Sequence, residues 1–139
     1  MSVQPLLNAP WIIQVHTFSA AAAFLLGLVQ FTAPKGTLPH RALGGLWVVI
    51  MSVIAISSIF IRPSLYPGLP FIEWFGPIHI FTILTSYGII HGVILLRRGG
   101  KALKYHSRPF TSIYIGGLIV AGAFAFLPGR IMHAVVFGA

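Results

Sequence analysis

The stretch WIIQVHTFSAAAAFLLGLVQF, residues 11–31, contains no Asp, Glu, Lys or Arg. Its length matches the roughly 20 apolar residues that an α-helix needs to cross the hydrocarbon core of a bilayer. Because lipid offers no hydrogen-bonding partner to bare backbone groups, a segment of this kind has to be helical within the membrane. Residues 11–31 are therefore predicted to form a first membrane span.

Three more apolar stretches of similar length follow, separated by polar, glycine-rich or proline-rich segments. With the first, they give predicted spans at residues 11–31, 42–61, 78–96 and 110–127. Hydrophobic residues make up 57% of the 139-residue chain and charged residues only 7%, too little polar surface to coat a water-soluble globule. The sequence predicts one all-α domain over residues 1–139, an integral membrane four-helix bundle with up-down-up-down topology.

The two ends of the chain differ in composition from the spans. The first ten residues contain no Lys or Arg, whereas a secretory signal peptide begins with a basic segment, so we expect the first span to be retained. At the other end, Pro128-Gly129-Arg130 interrupts the helix, and residues 131–139 are predicted to lie as a tail at the outer membrane interface. The chain contains no Cys, which excludes disulfides and thiolate metal ligands.

The nine basic residues are distributed unequally between alternate loops. Seven fall in the first and third loops: Lys35, Arg41, Arg97, Arg98, Lys101, Lys104 and Arg108. The other two, Arg62 and Arg130, fall on the opposite side. By the positive-inside rule, loops 1 and 3 are cytoplasmic and both termini face outside. The net charge of +8 then reflects topology and attraction to anionic headgroups of the lipid bilayer, and no nucleic-acid site is expected.

The six histidines fall into two layers when the four spans are threaded through a membrane. Near the outer surface are His16, His79 and His133, and near the inner surface are His40, His91 and His106. In a four-helix bundle, spans 1 and 3 are diagonal neighbours, as are spans 2 and 4. The outer pair is then His16 with His79, and the inner pair is His40 with His106. Two neutral imidazoles that face each other across a bundle can ligate one haem iron without bringing buried charge.

Haem also carries anionic propionates, which need cations near the membrane surface. Candidates are present on both sides: Arg62 and Arg130 outside, and Lys35, Arg41 and Arg108 inside. Interfacial cations are normal in any membrane protein, so their presence alone is weak evidence for a haem site. His91 lies about 18 Å along the third span from His79 and is an alternative to His40 or His106 as an inner ligand.

The same histidines allow two other uses. His16, His79 and His133 would form a three-imidazole set at one depth, which suits zinc or copper with an open coordination position. Histidines near the ends of spans also serve as hydrogen-bonding anchors. That role fits a cofactor-free accessory subunit of a larger respiratory or photosynthetic membrane complex.

Small and polar residues inside the spans have more than one interpretation. The polar ones, Gln30, Tyr87, Ser57 and Ser58, could contact a quinone, although hydrogen bonds between packed helices are the commoner explanation. The small ones, Ala20 to Ala23, Gly27, Gly116, Gly117 and Gly122, let helices approach closely. A flat macrocycle between helices would need the same small residues, so they do not discriminate.

A set of short motifs is spread over nearly the whole chain. They are His16, GLVQF at 27–31, PKG at 34–36, HRALG at 40–44 with Trp47, Ser57-Ser58, Ile78-His79, His106, AGAF at 121–124 and LPGR at 127–130. In this pattern the chain resembles a family of small predicted bacterial membrane proteins, the domain of unknown function 2306. The resemblance implies a four-span helical protein of the bacterial inner membrane, with His16, His40, His79 and His106 at the motif positions. One element departs from the family, which tends to show Met or Trp-Met after His106, where this chain reads Ser107-Arg108-Pro109-Phe110.

These features together lead to a functional hypothesis. We expect a membrane-embedded b-type cytochrome with one or two haem b groups, an electron-transfer (oxidoreductase) component of a respiratory chain, with quinone as a candidate partner. The main rival is the cofactor-free accessory subunit, and a weaker rival is the outer zinc or copper site.

Overall fold

A computed structural model describes residues 1–61 and 79–138, and all the regular structure within them is helical. The α-helices are α1 (Gln4–Leu7), α2 (Trp11–Thr32), α3 (Leu38–Ile59), α4 (His79–Arg98), α5 (Ser107–Ile113), α6 (Ala121–Phe124) and α7 (Ile131–Phe137). A 3₁₀ helix, Gly100–Tyr105, precedes α5, and a π-helical segment, Tyr114–Val120, joins α5 directly to α6. The predicted all-α class is confirmed for the described residues.

Three of these helices, α2, α3 and α4, are long and apolar enough to cross a membrane. They correspond to the first three predicted spans. Helix α3 begins four residues before the predicted Ala42, because Thr37 caps it by accepting the His40 N–H at 3.3 Å. Pro39 in the first turn fits this earlier start, since the N–H that it lacks would have no partner within the helix there.

The fourth predicted span is helical in three consecutive pieces. Helix α5 begins at Ser107, three residues earlier than predicted, and α6 ends at Phe124, three residues before the predicted Leu127. The π-helical segment between them contains Gly116 and Gly117. A π-helix has a wider turn than an α-helix, and uniformly apolar sequence gives no sign of it.

The two short terminal helices lie against each other. Helix α7 occupies most of the predicted tail, and it packs on α1, a helix that lies before the first predicted span. The Ser2 N–H donates to the Val135 carbonyl at 3.1 Å. Because α1 has only four residues, it offers no periodic pattern to detect.

The long helices pack in the order of the chain and run antiparallel to their neighbours. Helix α2 packs on α3, α3 on α4 and α4 on α5, and the π-helical segment packs back on both α4 and α2. At one end of the α2–α3 pair, Gln30 donates to the His40 carbonyl at 3.2 Å. At the other end, His16 contacts Ser57 at 2.9 Å. These contacts fix which residues of α2 and α3 share a depth.

Aromatic and small residues fill the middle of this assembly. Met51 is fully buried, and the Trp47 indole N–H donates to the Ala23 carbonyl at 2.9 Å. The Tyr114 hydroxyl donates to the Phe24 carbonyl at 3.1 Å, and its ring lies over Gly27. The outer surface of the helices carries large apolar side chains that are more than half exposed, among them Phe18, Leu25 and Ile83. Lipid is the environment that such a surface suits.

Candidate histidine layers

His16, in the second turn of α2, contacts the last turn of α3. Its Nδ1 lies 2.9 Å from the Ser57 Oγ, and that hydroxyl donates to the Ile54 carbonyl at 3.0 Å. A serine hydroxyl carries one proton, which the Ile54 carbonyl already receives. The His16 Nδ1–H therefore donates to Ser57, and in the neutral ring the lone pair is on Nε2.

The next residue of α3, Ser58, extends the polar contacts to α4. Its Oγ lies 2.9 Å from the Thr82 Oγ1. His79 is three residues before Thr82, so it lies on the same side of α4, and it is only 7% exposed. Two adjacent serines thus join α3 to His16 on one side and to the His79 turn on the other. We call His16, His79 and this serine pair the outer layer.

At the opposite end of the helices, His40 and His106 form what we call the inner layer. His40 lies in the first turn of α3, and its buried Nδ1 has no hydrogen-bonding partner among the described residues. Lys35 and His106 both lie near the His40 ring. The His106 Nδ1 bonds the Leu103 carbonyl. Because a carbonyl only accepts, Nδ1 is the donor and Nε2 of the neutral ring carries the lone pair.

An aromatic cluster occupies the space between the two layers. His40 and Ser57 are separated by 17 positions in α3, so the layers are about 25 Å apart along the helix. In between, the Trp47 ring lies edge-on to Phe110 at 5.9 Å between centroids. The Tyr114 ring lies 5.0 Å from Phe31 and 5.8 Å from Phe24. The region between the layers is therefore filled by packed side chains.

The other predicted histidines lie apart from these two layers. His91 is exposed, faces a groove between α4 and α5, and contacts the Tyr87 ring at 5.7 Å between centroids. His133 lies in α7 against Phe137, at 4.8 Å between centroids. Among residues 1–61 and 79–138, no three His, Cys, Asp or Glu side chains come together in a way that could hold a metal ion. The described chain thus does not bring His16, His79 and His133 into one ligand set.

The predicted propionate cations are also spread out. Lys35 and Arg41 flank His40, close to the inner layer. The Arg108 guanidinium lies 4.9 Å from the centroid of the Tyr105 ring and lines the same groove as His91. Arg130 is exposed just before α7, and Arg62 lies outside the described residues.

Three hydroxyl residues of the outer layer have roles that the sequence does not predict: Ser57 contacts His16, and Ser58 contacts Thr82. From the sequence, Ser57 and Ser58 are predicted only as quinone contacts or packing groups, and nothing distinguishes Thr82 from other polar residues of the spans. Their depth was the available signal, because the end of span 2 lies level with the start of spans 1 and 3. That signal gives the depth of a residue but not the direction in which its side chain points.

These helices, with their lipid-suited outer surface, define an all-α membrane protein. The chain belongs to the family of predicted membrane proteins DUF2306, which matches residues 13–128. The resemblance noted in the sequence is thereby confirmed, and the matched range includes both histidine layers but not His133. Neither a curated protein nor a solved structure matches the chain.

Proposed function

We propose that the protein is a b-type cytochrome of the bacterial inner membrane, with a haem between His16 and His79 and a second between His40 and His106. One observation carries this proposal above all. His16 donates its Nδ1–H to Ser57, which orients the ring and leaves Nε2 for iron. Histidines that ligate metals commonly hold the second ring nitrogen in this way, by donating it to a neighbouring acceptor.

The outer layer offers the second ligand on the correct helix. His79 is buried at the start of α4, at the same end of the assembly as His16. Helices α2 and α4 both pack on α3, so the two histidines are carried by different helices beside the last turn of α3. A low-dielectric position between them suits neutral imidazole ligands, which bring no charge.

The inner layer has the features expected of a second site. A buried nitrogen without a partner, such as the His40 Nδ1, is costly unless something else satisfies it. His106 has its Nδ1 held by the Leu103 carbonyl, as His16 has its own held by Ser57. Lys35 lies close to His40 and supplies a cation for an anionic propionate.

The same proposal includes an orientation in the membrane. The packing order of α2, α3, α4, α5 and the π-helical segment supports a bundle with four spans, up-down-up-down. Seven of the nine basic residues lie in loops 1 and 3, so these loops are cytoplasmic and both termini are outside. The inner layer then faces the cytoplasm.

When bound, haem supplies one-electron chemistry. The chain supplies the axial imidazoles, the apolar surroundings and the interfacial cations, which set the reduction potential of each site. Two layers at opposite ends of the helices would pass electrons across the membrane. Quinone is a suitable electron carrier for such a protein because it dissolves in the same lipid.

The first test is a dithionite-reduced minus oxidised absorption spectrum of the detergent-purified protein, expressed with added haem precursor. We expect a sharp reduced α band and, by pyridine haemochrome assay, two haems per chain. One haem per chain would leave only one of the two layers as a site. A chain that binds no haem under these conditions would refute the proposal, and copurification with a large complex from native membranes would then support the accessory subunit.

A second prediction concerns the serine that holds His16. Ser57→Ala removes the acceptor of the His16 Nδ1–H but not the ligand itself. We expect roughly tenfold weaker binding of the outer haem and a shifted midpoint potential. The measurement is a haem titration combined with a redox titration of each spectral component.

Ser52→Ala is the matched control for this substitution. Ser52 lies on the same helix and donates to the Val48 carbonyl at 2.8 Å, in the way that Ser57 donates to Ile54. We expect the control to leave both components unchanged. Equal behaviour of the two variants would contradict a positioning role for Ser57.

A further inference from the structure

An open groove of about 460 Å³ runs between α4 and the α5–π segment, on the outside of the helices. Its walls are predominantly apolar and include Phe81, Leu84 and Ile113. Glycines form part of its floor, because Gly88 packs directly against Ile113. The volume is in the range of about 300–1,000 Å³ that small-molecule sites occupy.

The basic groups of the groove lie toward its inner end. Arg108 is one, stacked on the Tyr105 ring at 4.9 Å. His91 lies near it and is the histidine that neither haem layer uses, and Thr85, Tyr87 and Ser112 are the other polar residues of the lining. The groove is therefore amphipathic, with a cationic end toward loop 3 and an apolar end toward the start of α4.

We propose that this groove binds one anionic phospholipid, with its phosphate at Arg108, an ester carbonyl at His91 and an acyl chain along Leu84 and Phe81. The inference stands independently of the haem proposal. It rests on the charge of Arg108 and on the depths of Arg108 and His91 in the membrane.

Charge favours an anion at Arg108. The chain has nine basic side chains and one acidic side chain, Glu73, so most of its cations have no carboxylate side chain to pair with. Four further basic residues precede Arg108 in loop 3: Arg97, Arg98, Lys101 and Lys104. Clusters of this kind at a membrane surface attract anionic headgroups. A neutral quinone would leave the Arg108 charge unpaired.

Depth favours a phospholipid. Contacts of Gly92 with Phe110 and of Gly88 with Ile113 set α4 and α5 antiparallel. In this register Arg108 is level with residues 93–94 of α4, so His91 lies two to three residues, ~4 Å, deeper than Arg108. The ester carbonyls of a phospholipid also lie one step deeper than its phosphate. An imidazole N–H at that depth can donate to an ester carbonyl.

The test uses two glycines with open space beside them, of which one lines the groove and the other does not. A Cβ added at Gly116 or at Gly122 meets nothing within 4 Å, but only Gly116 lines the groove. Gly116→Leu should fill the groove without a clash. Gly122→Leu should also fit without a clash, but it should leave the groove open. We would delipidate each variant in detergent, titrate it with phosphatidylglycerol or with phosphatidylcholine of the same acyl chains, and count bound lipids by native mass spectrometry.

We expect the wild type and Gly122→Leu to bind one phosphatidylglycerol in preference to phosphatidylcholine, and Gly116→Leu to lose that lipid. Arg108→Gln should weaken phosphatidylglycerol binding by about fivefold and remove most of the preference, whereas Arg130→Gln should do neither. Unchanged binding in Gly116→Leu would overturn the proposal, as would equal loss in Gly122→Leu. A quinone found in the groove of the native extract, in place of a phospholipid, would also overturn it.

Discussion

His16→Ala should abolish one haem component of the reduced spectrum, and His79→Ala should abolish the same one. Each substitution removes one of two axial imidazoles, and a haem held by two histidines from different helices needs both. The inner component should persist in both variants, because His40 lies about 25 Å away at the other end of α3. The measurement is the reduced-minus-oxidised spectrum with haem stoichiometry for each variant.

His133→Ala is the matched control for this pair. It is the third histidine predicted at the outer end, but it lies in α7 beside Phe137, and the described residues form no three-ligand group. We expect this variant to keep both components. If His16→Ala and His79→Ala removed different components, the pairing across α3 would be wrong. If His133→Ala removed the outer component, an additional ligand from α7 would have to be considered.

Much of the fold could be predicted because the bilayer imposes strong constraints on the sequence. Charge-free segments of fixed length, separated by proline and glycine, located α2 and α3 to within four residues at each end. The start of α3 lies four residues before the predicted one, because Thr37 caps the helix and Pro39 fits its first turn, and the apolar length alone does not include this local signal. The π-helical segment could not be predicted from the sequence. A change from 3.6 to about 4.4 residues per turn alters no hydrophobic pattern in a stretch that is apolar on every side.

The candidate site was predictable in depth but not in contacts. Counting residues from the ends of the spans was enough to assign His16 and His79 to one layer. It did not reveal that Ser57 points at His16 while Ser58 points at Thr82, because adjacent residues on a helix face different neighbours. Residue counting also did not show which glycines are closely packed. Gly117 lies close to Thr85, whereas Gly116 faces the open groove.

Gly27→Ala should destabilise the protein, although alanine is the better helix former. A Cβ at position 27 would lie 2.3 Å from the Tyr114 Cε2 and 3.3 Å from the Trp47 Nε1. The Tyr114 ring has little freedom to move, because its hydroxyl bonds the Phe24 carbonyl and its ring stacks on Phe24. Overpacking of this kind costs about 1–3 kcal/mol, which exceeds the gain of about 0.5–1 kcal/mol from replacing a helical glycine.

Gly45→Ala separates the two effects. A Cβ at position 45 in α3 meets nothing within 4 Å, so only the gain in helix propensity remains, and the variant should be as stable as the wild type or more so. The measurement is the free energy of unfolding in mixed detergent micelles. Because the cost at Gly27 comes from Tyr114, adding Tyr114→Leu to Gly27→Ala should cost less than it does alone, a coupling that a double-mutant cycle measures directly. Additive effects would mean that Tyr114 does not pack on Gly27, and the aromatic cluster between the two histidine layers would then have to be rearranged.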